Sequence, residues 1–142
     1  MVRIEVVTEA TTEVYAALER LLPQLNSQLA IPTMERLQAL VADPAVSLLV
    51  ARDDGQIAGT TTVIVYTTPF WIKARLDEVV VDEASRGKGV GAALVKASLD
   101  LAREKGVEVV ELQSGVSRDA AHRLYARMGF KLRETAVFRI VL

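Results

Sequence analysis

The chain contains no cysteine and only one histidine, His122. The first absence excludes disulfides, thiolate nucleophiles and cysteine-ligated metals, and it suits a reducing compartment. With one histidine and no clustered carboxylates, no metal site is expected. Neither sign of charge dominates: 17 Lys and Arg stand against 18 Asp and Glu, a formal net charge of −1. Such a balance gives no general attraction to nucleic acid or to an acidic membrane surface, and no local basic patch stands out. No apolar run approaches the roughly 18 residues that span a bilayer, and the opening Met-Val-Arg-Ile-Glu is not a signal peptide. The expectation is a soluble cytoplasmic protein with neither nucleic acid nor membrane as partner. What is present is an apolar half, 51% of 142 residues. That is enough for a real core in one domain spanning 1–142.

Val2 to Val7 alternates apolar and charged residues, the pattern of a half-buried strand. From Thr12 the spacing becomes helical through Val14, Leu18, Leu21 and Leu25, with Pro23 predicting a kink or end near Leu22. Pro32 and Thr33 open a second helix, which Asp43-Pro44 stops. Val46 to Arg52 and Ile57 to Tyr66 read as strands joined by a hairpin at Asp54-Gly55. Arg75 to Val81 is the next strand, Val90 to Leu101 a helix ended by Gly106, and Val107 to Leu112 a further strand. Ala121, Leu124 and Met128 mark a last helix closed by Gly129, and Phe130 to Leu142 predicts one or two final strands. The order is that of a mixed α/β (α+β) protein with helices covering a central sheet.

The stretch Val79 to Gly91 carries the chemistry. Val79-Val80-Val81 is a β-branched run that passes through a polar turn into Arg86-Gly87-Lys88-Gly89-Val90-Gly91 and then a helix. Glycines at a helix start allow a sharp turn and leave its amide N–H groups unscreened. Those N–H groups, the positive end of the helix dipole, Arg86 and Lys88 together suit a phosphate. Gly87-x-Gly89-x-x-Ala92 formally fits the dinucleotide fingerprint, but there the glycines follow the first strand of a repeated βαβ array, whereas hairpin strands precede them here. The P-loop pattern fails, since Gly89, not Ser or Thr, follows Lys88. A glycine-rich entry needed only for packing is the remaining structural reading.

Arg86 to Gly91 resembles the acyl-CoA pyrophosphate loop of the GNAT superfamily of N-acyltransferases, whose pattern is Arg/Gln-x-x-Gly-x-Gly/Ala. Val79-Val80-Val81 lies where that family has the strand that pairs with the pantetheine arm. Ala121-x-x-Leu124-Tyr125-x-x-x-Gly129-Phe130 looks like its closing helix. The resemblance implies a GNAT-like, mostly antiparallel sheet of six to seven strands flanked by four helices. It also implies acetyl-CoA as co-substrate, without a metal. One departure stands out: Arg118 occupies a position where the family often has asparagine, and it serves either a phosphate or a surface salt bridge.

The implied reaction is acetyl transfer from a thioester to a primary amine of a small molecule or peptide. Val79, Val80, Val81, Arg86, Gly87, Lys88, Gly89, Val90, Gly91 and Arg118 are then the cofactor-binding residues. Tyr125 is the candidate general acid, because a phenol of pKa about 10 is protonated at neutral pH and can supply a thiolate. Asp77 and Glu78 are candidate bases, expected by strand alternation to point to opposite faces, with only one toward the acetyl group. His122, three residues before Tyr125, is a base or a surface residue. Asn26 to Ile31 and Thr67 to Lys73 would flank the acceptor. Phe70 and Trp71 line an apolar pocket, make a homodimer contact or pack on the sheet. A catalytically silent CoA-binding module of the same fold is the alternative to an enzyme.

Overall fold

The computed structural model describes residues 1–142. Five strands form one sheet in sequential order: β1 (Val2–Val6), β2 (Val46–Asp53), β3 (Gln56–Thr67), β4 (Ile72–Val81) and β5 (Val109–Leu112). The first three pairings are antiparallel, and β4 with β5 is parallel. Four α-helices accompany the sheet: α1 (Thr12–Leu25), α2 (Met34–Ala42), α3 (Val90–Glu104) and α4 (Asp119–Arg127). No helix is long and apolar enough to cross a membrane.

The mixed architecture and the four helices agree with expectation, but the strand count does not. Phe130 to Leu142, expected to supply final strands, joins no sheet, so there are five strands rather than six or seven. Residues 131–142 are all exposed and make no backbone hydrogen bond. Without a ladder partner, an apolar run is extended chain and not a strand. Pro23 also fails to end α1, which continues to Leu25. In the last turn a proline still has the helical φ it needs and interrupts only one hydrogen bond.

Both faces of the sheet are covered. Leu48 and Val50 of β2 pack with Val14, Leu18 and Leu21 of α1 and Leu37 of α2. Leu49 and Ala51 point the other way, toward Val90, Leu94 and Ala102 of α3. Period-two alternation with both sides apolar explains why β2 reads as a continuous hydrophobic run. Caps set the first two helices: the hydroxyls of Thr11 and Thr33 accept from the N–H groups of Val14 and Arg36, each at 3.1 Å. Arg52 of β2 then ties the layers, reaching Glu5 at 2.9 Å and both oxygens of Glu13 at 2.8 Å. Its hydrogen bonds hold both carboxyl groups below their ordinary pKa.

The element that positions the site is β4, and it is irregular. Thr60 faces Val80 while Thr62 faces Asp77, so Thr61 alone opposes the two residues Glu78 and Val79. This is a β-bulge on β4. Glu78 takes φ of 56°, and the Thr61 hydroxyl donates to the Asp77 carbonyl at 3.3 Å. The extra residue reverses the inside–outside phase. Leu76 packs on the α3 side, and after the bulge Val79 and Val81 occupy that side while Val80 joins the α1 side. The β4–β5 ladder ends at Leu76 and Leu112, although β4 runs on to Val81. β5 itself stops at Leu112, so past the bulge β4 runs on without a neighbour on that side.

Candidate active site

A cavity of about 630 Å³ lies beside the unpaired end of β4. Val79, Val80 and Val81 line one wall, the loop residues Ser85, Arg86, Gly87 and Gly89 continue it, and the start of α3 contributes Val90, Gly91 and Ala92. Ser117, Arg118, Asp119, Ala120, Ala121, Leu124, Tyr125 and Arg127 form the opposite wall, and Gln24 and Leu25 close one side.

Gly87 and Gly89 adopt φ of 81° and 80°, left-handed values that disfavour a side chain. The first backbone bond of α3 runs from the N–H of Ala93 to the carbonyl of Gly89. Every N–H from Gly87 to Ala92 is left without a protein acceptor, and no side chain caps the helix. Six consecutive free donors around two left-handed glycines, at the positive end of a 15-residue helix, are an arrangement suited to an anion. Gly91 serves a different end: a Cβ there would lie 3.1 Å from Leu124 Cδ2, so its absence lets α4 approach α3.

The loop is fastened from α1. Gln24 accepts from the N–H of Glu83 at 2.8 Å, and Arg20 Nε donates to Asp82 at 3.2 Å. A second Arg20 nitrogen donates to the Ile57 carbonyl. Burial would raise the Asp82 pKa, but the Ala84 amide, Arg20 and Gln24 outweigh it and hold the carboxyl below its ordinary value. Gln24, Asp82 and Thr61 were not singled out from the sequence. Their partners lie 16 to 62 positions away, so no local pattern marks them.

The two loop cations separate. Arg86 lines the cavity, whereas Lys88 turns away to Asp53 of β2, Nζ to Oδ2 at 3.5 Å. Arg118 precedes the first turn of α4 and lines the cavity. Tyr125 is 9% exposed and forms part of the cavity wall. Burial raises its phenol pKa, the Arg118 charge opposing this in part, and no protein group bonds its hydroxyl. Phe130 meets the Tyr125 ring edge-on, centroids 5.9 Å apart.

The remaining candidates lie outside the lining. Asp77 accepts from Arg75 Nε at 3.0 Å, and Glu78 is exposed on the bulge. The bulge also removes the simple alternation expected to set these two on opposite faces. His122 is half-buried on α4 and is not part of the cavity wall. Phe70 and Trp71 are 87% and 46% exposed beside the start of β4. Eight residues separate Trp71 from Val79, roughly 26 Å along a strand. They do not line this cavity.

Comparison with known proteins agrees with this arrangement. Residues 12–130 match the Acetyltransferase (GNAT) family. An aminoalkylphosphonate N-acetyltransferase of Salmonella typhimurium is 31% identical over 127 residues, covering 87% of this chain and 80% of that protein. An uncharacterised N-acetyltransferase of Methanocaldococcus jannaschii is 38% identical over 61 residues, 43% of this chain but only 27% of the relative's length. Among solved structures, an aminoglycoside acetyltransferase from an uncultured soil metagenomic sample, in complex with sisomicin, superposes with a TM-score of 0.87 at 25% identity, covering 99% of this chain and 96% of that one. The glycine loop at the start of α3, the unpaired end of β4 and the α4 tyrosine thus occur in a chain that belongs to the GNAT family of acetyltransferases.

Proposed function

We propose that the protein transfers an acetyl group from acetyl-CoA to a primary amine of a small molecule or peptide by direct attack, with Tyr125 as general acid. The observation that carries this is the continuity of one cavity from the unpartnered N–H groups of Gly87, Gly89, Val90, Gly91 and Ala92 to the buried Tyr125 phenol. These amides and Arg86 fit a pyrophosphate, so CoA is held far from its reacting carbon and its binding energy is used to orient the thioester. Past the bulge, β4 has no neighbour on the β5 side, and its backbone there is free to pair with an extended pantetheine arm and to polarise the carbonyl. The neutral amine nitrogen attacks that carbonyl, the C–N bond forms, the C–S bond breaks, the CoA thiolate takes the Tyr125 proton, and the proton shed by the acylated nitrogen restores the Tyr125 phenol. The ammonium proton of the acceptor leaves to solvent or to Asp77 or Glu78 through water. An aminoalkylphosphonate N-acetyltransferase and an aminoglycoside acetyltransferase are among the similar proteins, which supports a small amino compound as the acceptor here. The absence of a membrane-crossing helix and of cysteine agrees with a cytoplasmic setting.

The test is amine-dependent release of free CoA, measured with a panel of aminophosphonates, amino sugars and peptide N-termini. Tyr125→Phe is expected to lower kcat by about 10²- to 10⁴-fold, the usual worth of general acid catalysis, with CoA affinity unchanged. Because burial raises the phenol pKa, Tyr125 stays protonated through neutral and mildly alkaline pH. The rate is therefore expected to fall only above the ordinary tyrosine range. Full turnover by Tyr125→Phe removes the residue from the mechanism, and CoA binding without turnover across the panel favours a silent CoA-binding module.

A further inference from the structure

Backbone donors change state abruptly inside the turn that leads from β4 to α3. Every N–H from Asp82 to Arg86 has a partner, and none from Gly87 to Ala92 has one. The Asp82 N–H donates to the Ala58 carbonyl at 2.8 Å, and that of Glu83 to Gln24 at 2.8 Å. The Ala84 N–H donates to Asp82 Oδ1 at 3.2 Å, that of Ser85 to the Asp82 carbonyl at 2.8 Å, and that of Arg86 to the Glu83 carbonyl at 3.4 Å. The second Asp82 carboxylate oxygen accepts from Arg20, which also donates to the Ile57 carbonyl. Gly59 completes the platform: a Cβ there would lie 3.0 Å from Val90 Cγ1, so its absence lets the start of α3 lie against β3. Ile57, Ala58 and Gly59, successive residues of β3, thus fix Arg20, Asp82 and Val90.

On charge alone, Asp82 is an unfavourable residue at this place. Against the opposing effect of burial, the Ala84 amide, Arg20 and Gln24 hold its carboxyl below the ordinary pKa, so it is ionised at neutral pH. It does not line the cavity. The chain from Asp82 to Gly87 spans at most about 18 Å, inside the roughly 30 Å Debye length of 10 mM salt. A fixed negative charge at that range opposes a phosphate. We propose that Asp82 is a positioning residue for the anion site: clamped between α1 and β3, it holds the glycine loop in its binding conformation before a phosphate arrives. The proposal rests on the acetyl-CoA reading of the cavity. A loop built on Gly87, Gly89 and Gly91 has great backbone freedom, so its order must come from outside the glycines. Without the clamp, the ligand itself would have to impose that order, at the expense of affinity.

Calorimetric titration of CoA at low salt separates positioning from charge, because the two predict opposite signs. Removing a carboxylate strengthens the binding of a polyanion if only charge matters. Asp82→Ala is instead expected to raise the Kd for CoA about tenfold, the scale of ordering one further residue on binding. Asp82→Glu keeps the charge but displaces the carboxylate, and it is expected to weaken binding about threefold or more. It also carries the test where the alanine variant does not fold. Arg20→Met acts through the same clamp, so adding it to either Asp82 variant is expected to change the Kd by no more than about twofold. Equal or tighter binding by the Asp82 variants, or additive losses on adding Arg20→Met, overturns the proposal alone. Wild-type protein that binds no CoA refutes the acetyl-CoA reading, and the role of Asp82 with it. Hydrogen exchange of the free protein tests the clamp without ligand. The Glu83 and Ala84 amides are expected to exchange slowly in the wild type, and as fast as those of Gly87 to Ala92 in Asp82→Ala. Equal rates for the two groups of amides in the wild type mean that no clamp exists.

Discussion

Arg86 and Lys88 are two residues apart in one glycine loop, yet they are not equivalent. Arg86 faces the cavity with a planar, multiply donating guanidinium, a group suited to a phosphate. Lys88 is engaged by Asp53 and would have to leave that partner to reach the same anion. A charged hydrogen bond contributes about 1.5–3 kcal/mol. Arg86→Ala is therefore expected to raise the Kd for CoA by about one to two orders of magnitude, and Lys88→Ala by several-fold at most. Calorimetric titration with CoA checks both, and equal effects would show that Lys88 abandons Asp53 on binding. The glycines made this loop legible in the sequence because two of them meet a demand no other residue meets cheaply, a left-handed backbone. The direction taken by each cation was not legible, since Asp53 lies on a strand distant in the chain.

At the scale of elements, the informative departure is the bulge in β4. Period-two alternation predicted Asp77 and Glu78 on opposite faces, and it read the valines after them as one uninterrupted strand. An inserted residue leaves no mark in such a pattern when it is not glycine, and Glu78 is not. The same strand signal over-read residues 131–142, because alternation records that a segment is suited to a sheet and not which sheet receives it. Glu78 bears a cost: a left-handed conformation for a residue with a Cβ amounts to roughly 1–2 kcal/mol. Glu78→Gly relieves it, offset by about 0.5–1 kcal/mol for the greater freedom of glycine in the unfolded chain. A net gain of about 0.5–1 kcal/mol in urea unfolding is expected. If the Glu78 carboxylate also takes the amine proton, the same variant loses turnover as it gains stability. If turnover is kept, Asp77 or solvent is the acceptor of that proton, and the conformation of Glu78 serves only to shape β4.

For the molecule as a whole, the cavity lies between parts that are not otherwise strongly joined. One wall belongs to the sheet and α3, held by the buried cluster around Leu49, Leu76, Val90 and Leu94. The other belongs to α4, where Tyr125 is the one buried residue and contact with α3 runs through Leu124 over Gly91. A ligand filling the cavity touches both walls, so it should stabilise the native state as a whole and α4 in particular. At 100 times its Kd, a ligand that binds only the folded state adds about 2.7 kcal/mol, a rise in Tm of several degrees for a domain of this size. Acetyl-CoA is expected to give that rise. Hydrogen exchange should show the added protection greatest at the amides from Gly87 to Ala92, the donors without an acceptor in the free protein, and in the first turns of α4. A Tm shift with no new protection at those amides would mean that CoA binds without using them, and the pyrophosphate assignment would then have to move from the glycine loop to the cations Arg118 and Arg127 on the facing wall.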